Sequence, residues 1–333
     1  MSAVLLVRAL CDPQSLATGC DWTGLIAAAR AEQLIGSLAH RLEGLAVPER
    51  AASLLAMHRA DAARARVQAL WEAEMARRAL APLEVPVVLL KGTAFHAAGL
   101  EASVGRSVGD LDILVPRAAL GDVEQALLGA GWERLKDADG YDDHYYRTWM
   151  HELPPLIHRE RDRMIDVHHT ILPLTARRRP DADALIADSV ALPDGLRVLS
   201  PPDMIVHAAA HLIADGDMAG GLRNLWDIDR LLRQFAADPG FWDRLAERGR
   251  HHHMDGPVRR AVRLSARLFG TPVQAAWAGS RVSDRLFVRR LLARDGWGRA
   301  TRQATRFGFY LRGHWMRMPP LMLARHLMRK ARA

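Results

Sequence analysis

Asp110 and Asp112 stand two residues apart in the run Asp-Leu-Asp-Ile-Leu-Val (110–115). No other feature of the chain restricts its fold so tightly. On a strand, residues i and i+2 share a face and the residues between them face the other way. Leu111 and Ile113 then point into a core while both carboxylates project together. Two carboxylates so placed repel each other unless a cation lies between them. Oxygen donors suit Mg²⁺, which keeps several waters and shares substrate phosphates. A two-metal site needs more acid than one pair, usually from a neighbouring strand. Asp166, in the apolar stretch Met-Ile-Asp-Val (164–167), meets that need if its strand runs beside 110–115. Taken alone, an Asp-x-Asp pair is most often a solvated strand edge or a helix cap. The apolar setting, the strand-Gly-helix element upstream and the second apolar strand downstream favour a site.

The flanking sequence reads as alternating elements. Residues 85–90 are short, β-branched and closely followed by a glycine, which predicts a buried strand. A short helix follows, then the 110–115 strand, then an amphipathic helix closing at Gly129 and Gly131. Residues 144–152 alternate like a strand. Residues 156–169 predict a hairpin with its turn in the charged 159–163. This β-α-β-α-β-β order implies an α+β fold: a small mixed β-sheet core with helices against it. Ala-, Leu-, Arg- and Glu-rich stretches at three- and four-residue steps predict helices up to Pro82. Helices return at Ser200, a cap followed by Pro201, Pro202 and Asp203. Three regions result: helical 1–82, α/β core 83–175, and helical 176–333 with a basic tail.

Hydrophobic residues make up 49% of the 333, enough for a substantial core and against wholesale disorder. No apolar run approaches the roughly 18–20 residues of a membrane span. The short apolar patch at the start is broken by Arg8 and Asp12, unlike a secretory leader. Cys11 and Cys20 form no disulfide framework or zinc pattern, so a reduced, cytoplasmic protein is expected. The net charge of +8 is uneven. Residues 281–333 carry 14 Lys and Arg against 2 Asp, while the first 280 carry 32 against 36 Asp and Glu. The tail interleaves Arg with Phe307, Phe309, Tyr310 and Trp315. Its first reading is an Arg-rich helix covering the core, its second a peripheral contact with a lipid surface. Nothing there resembles a stacking module for sequence-specific nucleic-acid readout.

Upstream of the acidic pair, Gly92 lets a phosphate approach the backbone, and Thr93 puts a hydroxyl at a helix start. Lys91 and Arg106 can neutralise phosphate oxygens. The plainer alternatives are a strand-to-helix turn for Gly92, a surface lysine and a loop arginine paired with an acid. His168 shares the face of Asp166 by alternation. His207 and His211 lie four apart on one helix face, where packing is a better account than metal ligation. His251, His252 and His253 are read as ending a helix.

Lys91-Gly92, Arg106, Asp110-Leu111-Asp112 and Asp166-Val167-His168 together resemble the uncharacterised bacterial nucleotidyltransferase family of the DNA polymerase β-like superfamily. The resemblance covers roughly 85–234. It implies Mg²⁺-dependent transfer of a nucleoside monophosphate from a nucleoside triphosphate, with ATP the first expectation. The acceptor would be a hydroxyl or similar group on a small molecule, peptide or protein. Asp110, Asp112 and Asp166 would be catalytic and hold the metal, two Mg²⁺ ions with Mn²⁺ as a substitute. Lys91, Gly92, Thr93 and Arg106 would bind the nucleotide, with His168, His211 and Arg223 in supporting roles. Here the Thr93-to-Asp110 gap is longer than the superfamily's, and Lys-Gly-Thr replaces Gly-Gly-Ser. The alternatives are a non-catalytic nucleotide- or partner-binding protein of the same fold, or a toxin–antitoxin component. On this reading Asp112→Ala abolishes turnover and leaves the fold intact by relieving repulsion.

Overall fold

The computed structural model describes residues 2–16, 19–135, 146–319 and Leu323. It is an α+β fold whose described strands form one mixed sheet, ordered β3-β4-β5-β2-β1-β7-β6. The strands are β1 (Val88–Leu89), β2 (Asp110–Leu114), β3 (Trp132–Arg134), β4 (Leu156–His158), β5 (Met164–His168), β6 (Val190–Ala191) and β7 (Arg197–Val198). The expected hairpin forms as antiparallel β4–β5, and β5 runs parallel to β2. The sheet also extends through β6 and β7, which sequence reasoning did not anticipate because each has only two residues. The strand expected over 144–152 does not form. Residues 144 and 145 lie outside the described residues, 146–149 are helical, and only Glu152 makes an isolated bridge, to His168.

Helices α1 (Ser2–Cys11), α2 (Trp22–Ala31), α3 (Ile35–Arg41) and α4 (Glu49–Leu80) precede the sheet. Helices α2 and α3 are separated near Gln33, which takes a left-handed φ of +55°. The 32-residue α4 buries Ala62, Ala69, Ala73 and Ala76 at three-, four- and seven-residue steps. Arg161, in the charged hairpin turn, bonds both oxygens of Glu72 on α4 at 2.8 and 3.0 Å. That turn fixes the hairpin to the helix layer. Helix α5 (Lys91–Ala97) follows β1, and α6 (Leu120–Gly129) ends where the two glycines predicted.

The loop entering β2 is held from two sides. Gly36 and Gly105 meet backbone to backbone, so that a Cβ on Gly105 would stand 2.3 Å from Gly36. Gly105 also has φ +67°, a conformation that favours glycine. Ser37 Oγ donates to the Val104 carbonyl at 3.0 Å, and Gln234 Oε1 accepts from the Glu101 amide at 2.9 Å. Of the later helices, Pro201–Ala209 is capped by Ser200 as expected, and Phe241–His251 ends in the histidine run. His252 is fully buried beside Asp203 rather than solvated. The basic helix Gln303–Arg317 buries Phe309, Gly313 and His314 against the body, as a covering helix should. Beyond Pro319, apart from Leu323, the tail lies outside the described residues. No helix among the described residues is long and apolar enough to cross a membrane.

Candidate metal and nucleotide site

Parallel pairing sets Asp112 directly beside Asp166, and Asp110 lies two residues before Asp112 on the same face. Carboxylate oxygens of the three all lie within 4.8 Å of one another. The backs of the strands explain why this register holds. Leu111, Ile113, Ile165 and Val167 are each 3% exposed or less. Slipping one strand by a residue would turn them outward.

The three acids are not equivalent. Asp112 is 3% exposed. Lys91 Nζ donates to its Oδ1 at 2.5 Å, and His168 Nε2 lies 2.9 Å from the same oxygen. Burial alone would raise this carboxyl, but the Lys91 charge and the His168 bond outweigh it and hold it well below the usual carboxylate range. Among the described residues Asp166 has no such hydrogen-bonding cation, and only His168 draws it down. Burial first, then the charges of Asp112 and Glu152, push it up to about 7. Asp110 is the most open of the trio. A donor set of three oxygens, one of them starved of positive charge, fits a hard divalent cation. The expectation that Asp112 mainly suffers repulsion is therefore corrected: the repulsion falls on Asp166, while Asp112 is the paired acid.

Lys91 opens α5 with φ +48°, a left-handed conformation rare outside glycine. Burial would depress its ammonium, yet the Asp112 carboxylate keeps it raised and charged. Gly92 has a packing reason: a Cβ there would lie 2.7 Å from Arg106 Nε and 2.8 Å from Val108. Thr93 is 1% exposed and lines a narrow crevice with Val108, Gly109 and Asp110. Arg106 lies 3.4 Å from Asp227, and its buried Nε has no hydrogen-bond partner among the described residues. Lys91, Arg106, His207, His211 and Asp227 line a cavity of about 60 Å³. That is small beside the roughly 300–1,000 Å³ of ligand pockets.

Of the supporting candidates, His168 touches Asp112 directly. His211 reaches the cavity from a stretch of π-helix, Ala210–Asp215. His207 is packed and buried, and burial followed by the Lys91 charge holds its imidazole neutral, far below its ordinary range. Arg223 is committed elsewhere: it donates to Ser37 Oγ at 2.9 Å and to Asp227. It thereby fixes the carboxylate that holds Arg106. Two residues that sequence reasoning did not single out, His151 and Glu152, lie against the far side of His168. Glu152 Oε2 is 3.4 Å from His168 Nδ1 and 3.6 Å from His151 Nε2. Their only signal was a position just before Pro154-Pro155 in a stretch read as a plain strand.

An α+β sheet presenting three carboxylates beside a lysine and an arginine has the chemistry to hold a divalent cation and a phosphate. Residues 18–270 match the family described as uncharacterised nucleotidyltransferase, and the chain belongs to it. No curated protein matches the chain.

Proposed function

We propose that this protein transfers a nucleoside monophosphate from a nucleoside triphosphate, ATP first among them, to a hydroxyl or similar group on a small molecule, peptide or protein. The observation that carries the reading is the Asp112–Asp166 register with Asp110 on the same face. Asp110, Asp112 and Asp166 would hold Mg²⁺, two ions at full occupancy, with Mn²⁺ as a substitute. A cation held there supplies electrostatic stabilisation of the charge that builds on the phosphate oxygens.

The chain's own groups divide the remaining work. Lys91 and Arg106 stand where they can pair with phosphate oxygens, and the Arg223–Asp227 pair keeps Arg106 in place. The left-handed backbone at Lys91 suits such a role, since strained conformations gather at ligand clamps. Gly92 admits the Arg106 side chain, and Thr93 sits beside the Asp110 strand. His168 orients Asp112, and His211 faces the adjoining cavity. In the metal-free protein burial and the neighbouring carboxylates push Asp166 up to about 7; a cation held there would draw it into the ionised form, and the proton of the attacking hydroxyl would leave to water. The new bond joins that oxygen to the α-phosphorus, the bond to the β-phosphate oxygen breaks, and pyrophosphate leaves.

The test is pyrophosphate release from each triphosphate with Mg²⁺, combined with mass spectrometry of the protein and of acceptor pools. Release that Asp110→Asn abolishes supports transfer. Saturable nucleotide binding without release, across all four triphosphates and acceptor pools, would reduce the protein to a nucleotide-binding role.

A further inference from the structure

We propose that His151, Glu152 and His168 form a second divalent-cation site, of zinc type, set behind the carboxylate trio and joined to it through the His168 ring. It stands on its own donor set and does not rest on nucleotidyl transfer. One ligand atom from each residue lies within 4.8 Å of the others. Glu152 Oε2 is 3.4 Å from His168 Nδ1 and 3.6 Å from His151 Nε2. Ligands about 2.1 Å from a tetrahedral ion stand about 3.4 Å from one another. The three atoms thus need little movement to close on an ion.

The spacing is built into the backbone. Glu152 bridges His168, the His169 amide donates to the His151 carbonyl, and the Leu153 amide to the Val167 carbonyl, both at 2.9 Å. Adjacent residues on a regular strand face opposite ways. Here the chain is irregular at 150–151, and Pro154-Pro155 separates it from β4, so His151 and Glu152 reach the same point. The rings of His151 and His168 lie 5.2 Å apart at 31°.

A second, independent observation points to a ligand. His168 is 2% exposed, and its Nδ1 is buried with no hydrogen-bond partner among the described residues, though it faces Glu152. A buried polar nitrogen left so is costly. Its other nitrogen, Nε2, meets Asp112 at 2.9 Å. A metal-bound histidine whose remaining N–H is held by a carboxylate is the usual outer arrangement around zinc. Two imidazoles and one carboxylate favour zinc, cobalt or copper over Mg²⁺. An ion there clamps the 146–153 segment to β5 and makes the His168 Nε2–H a firmer donor to Asp112.

The full chain, stripped with chelator and held in excess Mg²⁺, is titrated with Zn²⁺ against a chromophoric chelator and separately with Co²⁺. The expected result is one equivalent of tight Zn²⁺, a tetrahedral Co²⁺ visible spectrum, and a zinc-dependent rise in Tm. Asp110→Asn keeps all three. His151→Gln and Glu152→Gln each lose the equivalent and the Tm rise while keeping the wild-type circular dichroism. Two variants guard against one failing to fold. A wild type that binds no zinc under these conditions overturns the proposal. So does either variant, folded, binding it as the wild type does. Pyrophosphate release plays no part in the readout, so failure of the transfer reading and failure of this one remain distinct.

Discussion

Replacing Asp166 by asparagine should stabilise the metal-free protein at alkaline pH while destroying its response to Mg²⁺. The carboxyl of Asp166 rises from an ordinary 3.8 to about 7 because burial and the neighbouring Asp112 and Glu152 charges oppose its ionisation. Below pH 4 the group is protonated folded and unfolded alike, and ionisation costs the fold nothing. Between about 4 and 7 the unfolded chain releases the proton and the folded chain keeps it, so stability falls as pH rises. Above about 7 the full cost is present. A rise from 3.8 to about 7 corresponds to roughly 4 kcal/mol at about 1.4 kcal/mol per pH unit. Asparagine is nearly isosteric and cannot ionise, so the variant escapes this loss. Urea unfolding of both proteins in chelator, from pH 4 to 9, measures the gap. It should be near zero at pH 4, widen through pH 7, and level off. Saturating Mg²⁺ should then close it by stabilising the wild type alone. A gap that stays flat with pH, or a variant less stable than the wild type at pH 8.5, refutes the assignment of repulsion to Asp166.

Asp112→Ala should lose transfer activity and also about 3 kcal/mol of stability, because it leaves Lys91 and His168 beside an emptied partner; pyrophosphate release and denaturant midpoints check the two effects. Gly105→Ala should cost about 2–3 kcal/mol, since its Cβ would strike the Gly36 backbone at 2.3 Å from a left-handed φ. A Tm within a degree or two of wild type would show that the α3 contact is looser than described. Asp203→Ala, fully buried against Arg248 at 2.7 and 2.8 Å and His252 at 3.3 Å, should cost about 3–5 kcal/mol. Its release of pyrophosphate per folded molecule should stay unchanged, which separates a structural acid from a site acid.

Local sequence determined the pieces. The period-two pattern of 110–115 put two carboxylates on one face, since strand alternation needs no distant partner. The charged turn defined the β4–β5 hairpin, Ser200 capped its helix, and the histidine run closed another. β6 and β7, two residues each, carried too little pattern to be seen, whereas the equally short β1 sits in the apolar run 85–90; 146–149 alternated like a strand yet became helical. Tertiary structure decided which strands are neighbours, and that decision made the site. Parallel pairing of β2 with β5 set Asp166 against Asp112. Burial then separated two chemically identical side chains: Lys91 and His168 bond to Asp112, while burial and the Asp112 and Glu152 charges push Asp166 up. Tertiary packing also brought Glu152 behind His168 and set Arg106 against Asp227, which Arg223 holds from one turn away on the same helix. A residue's charge state depends on what lies within a few ångströms of it, and for Asp112 those neighbours, Lys91 and His168, lie 21 and 56 positions away along the chain.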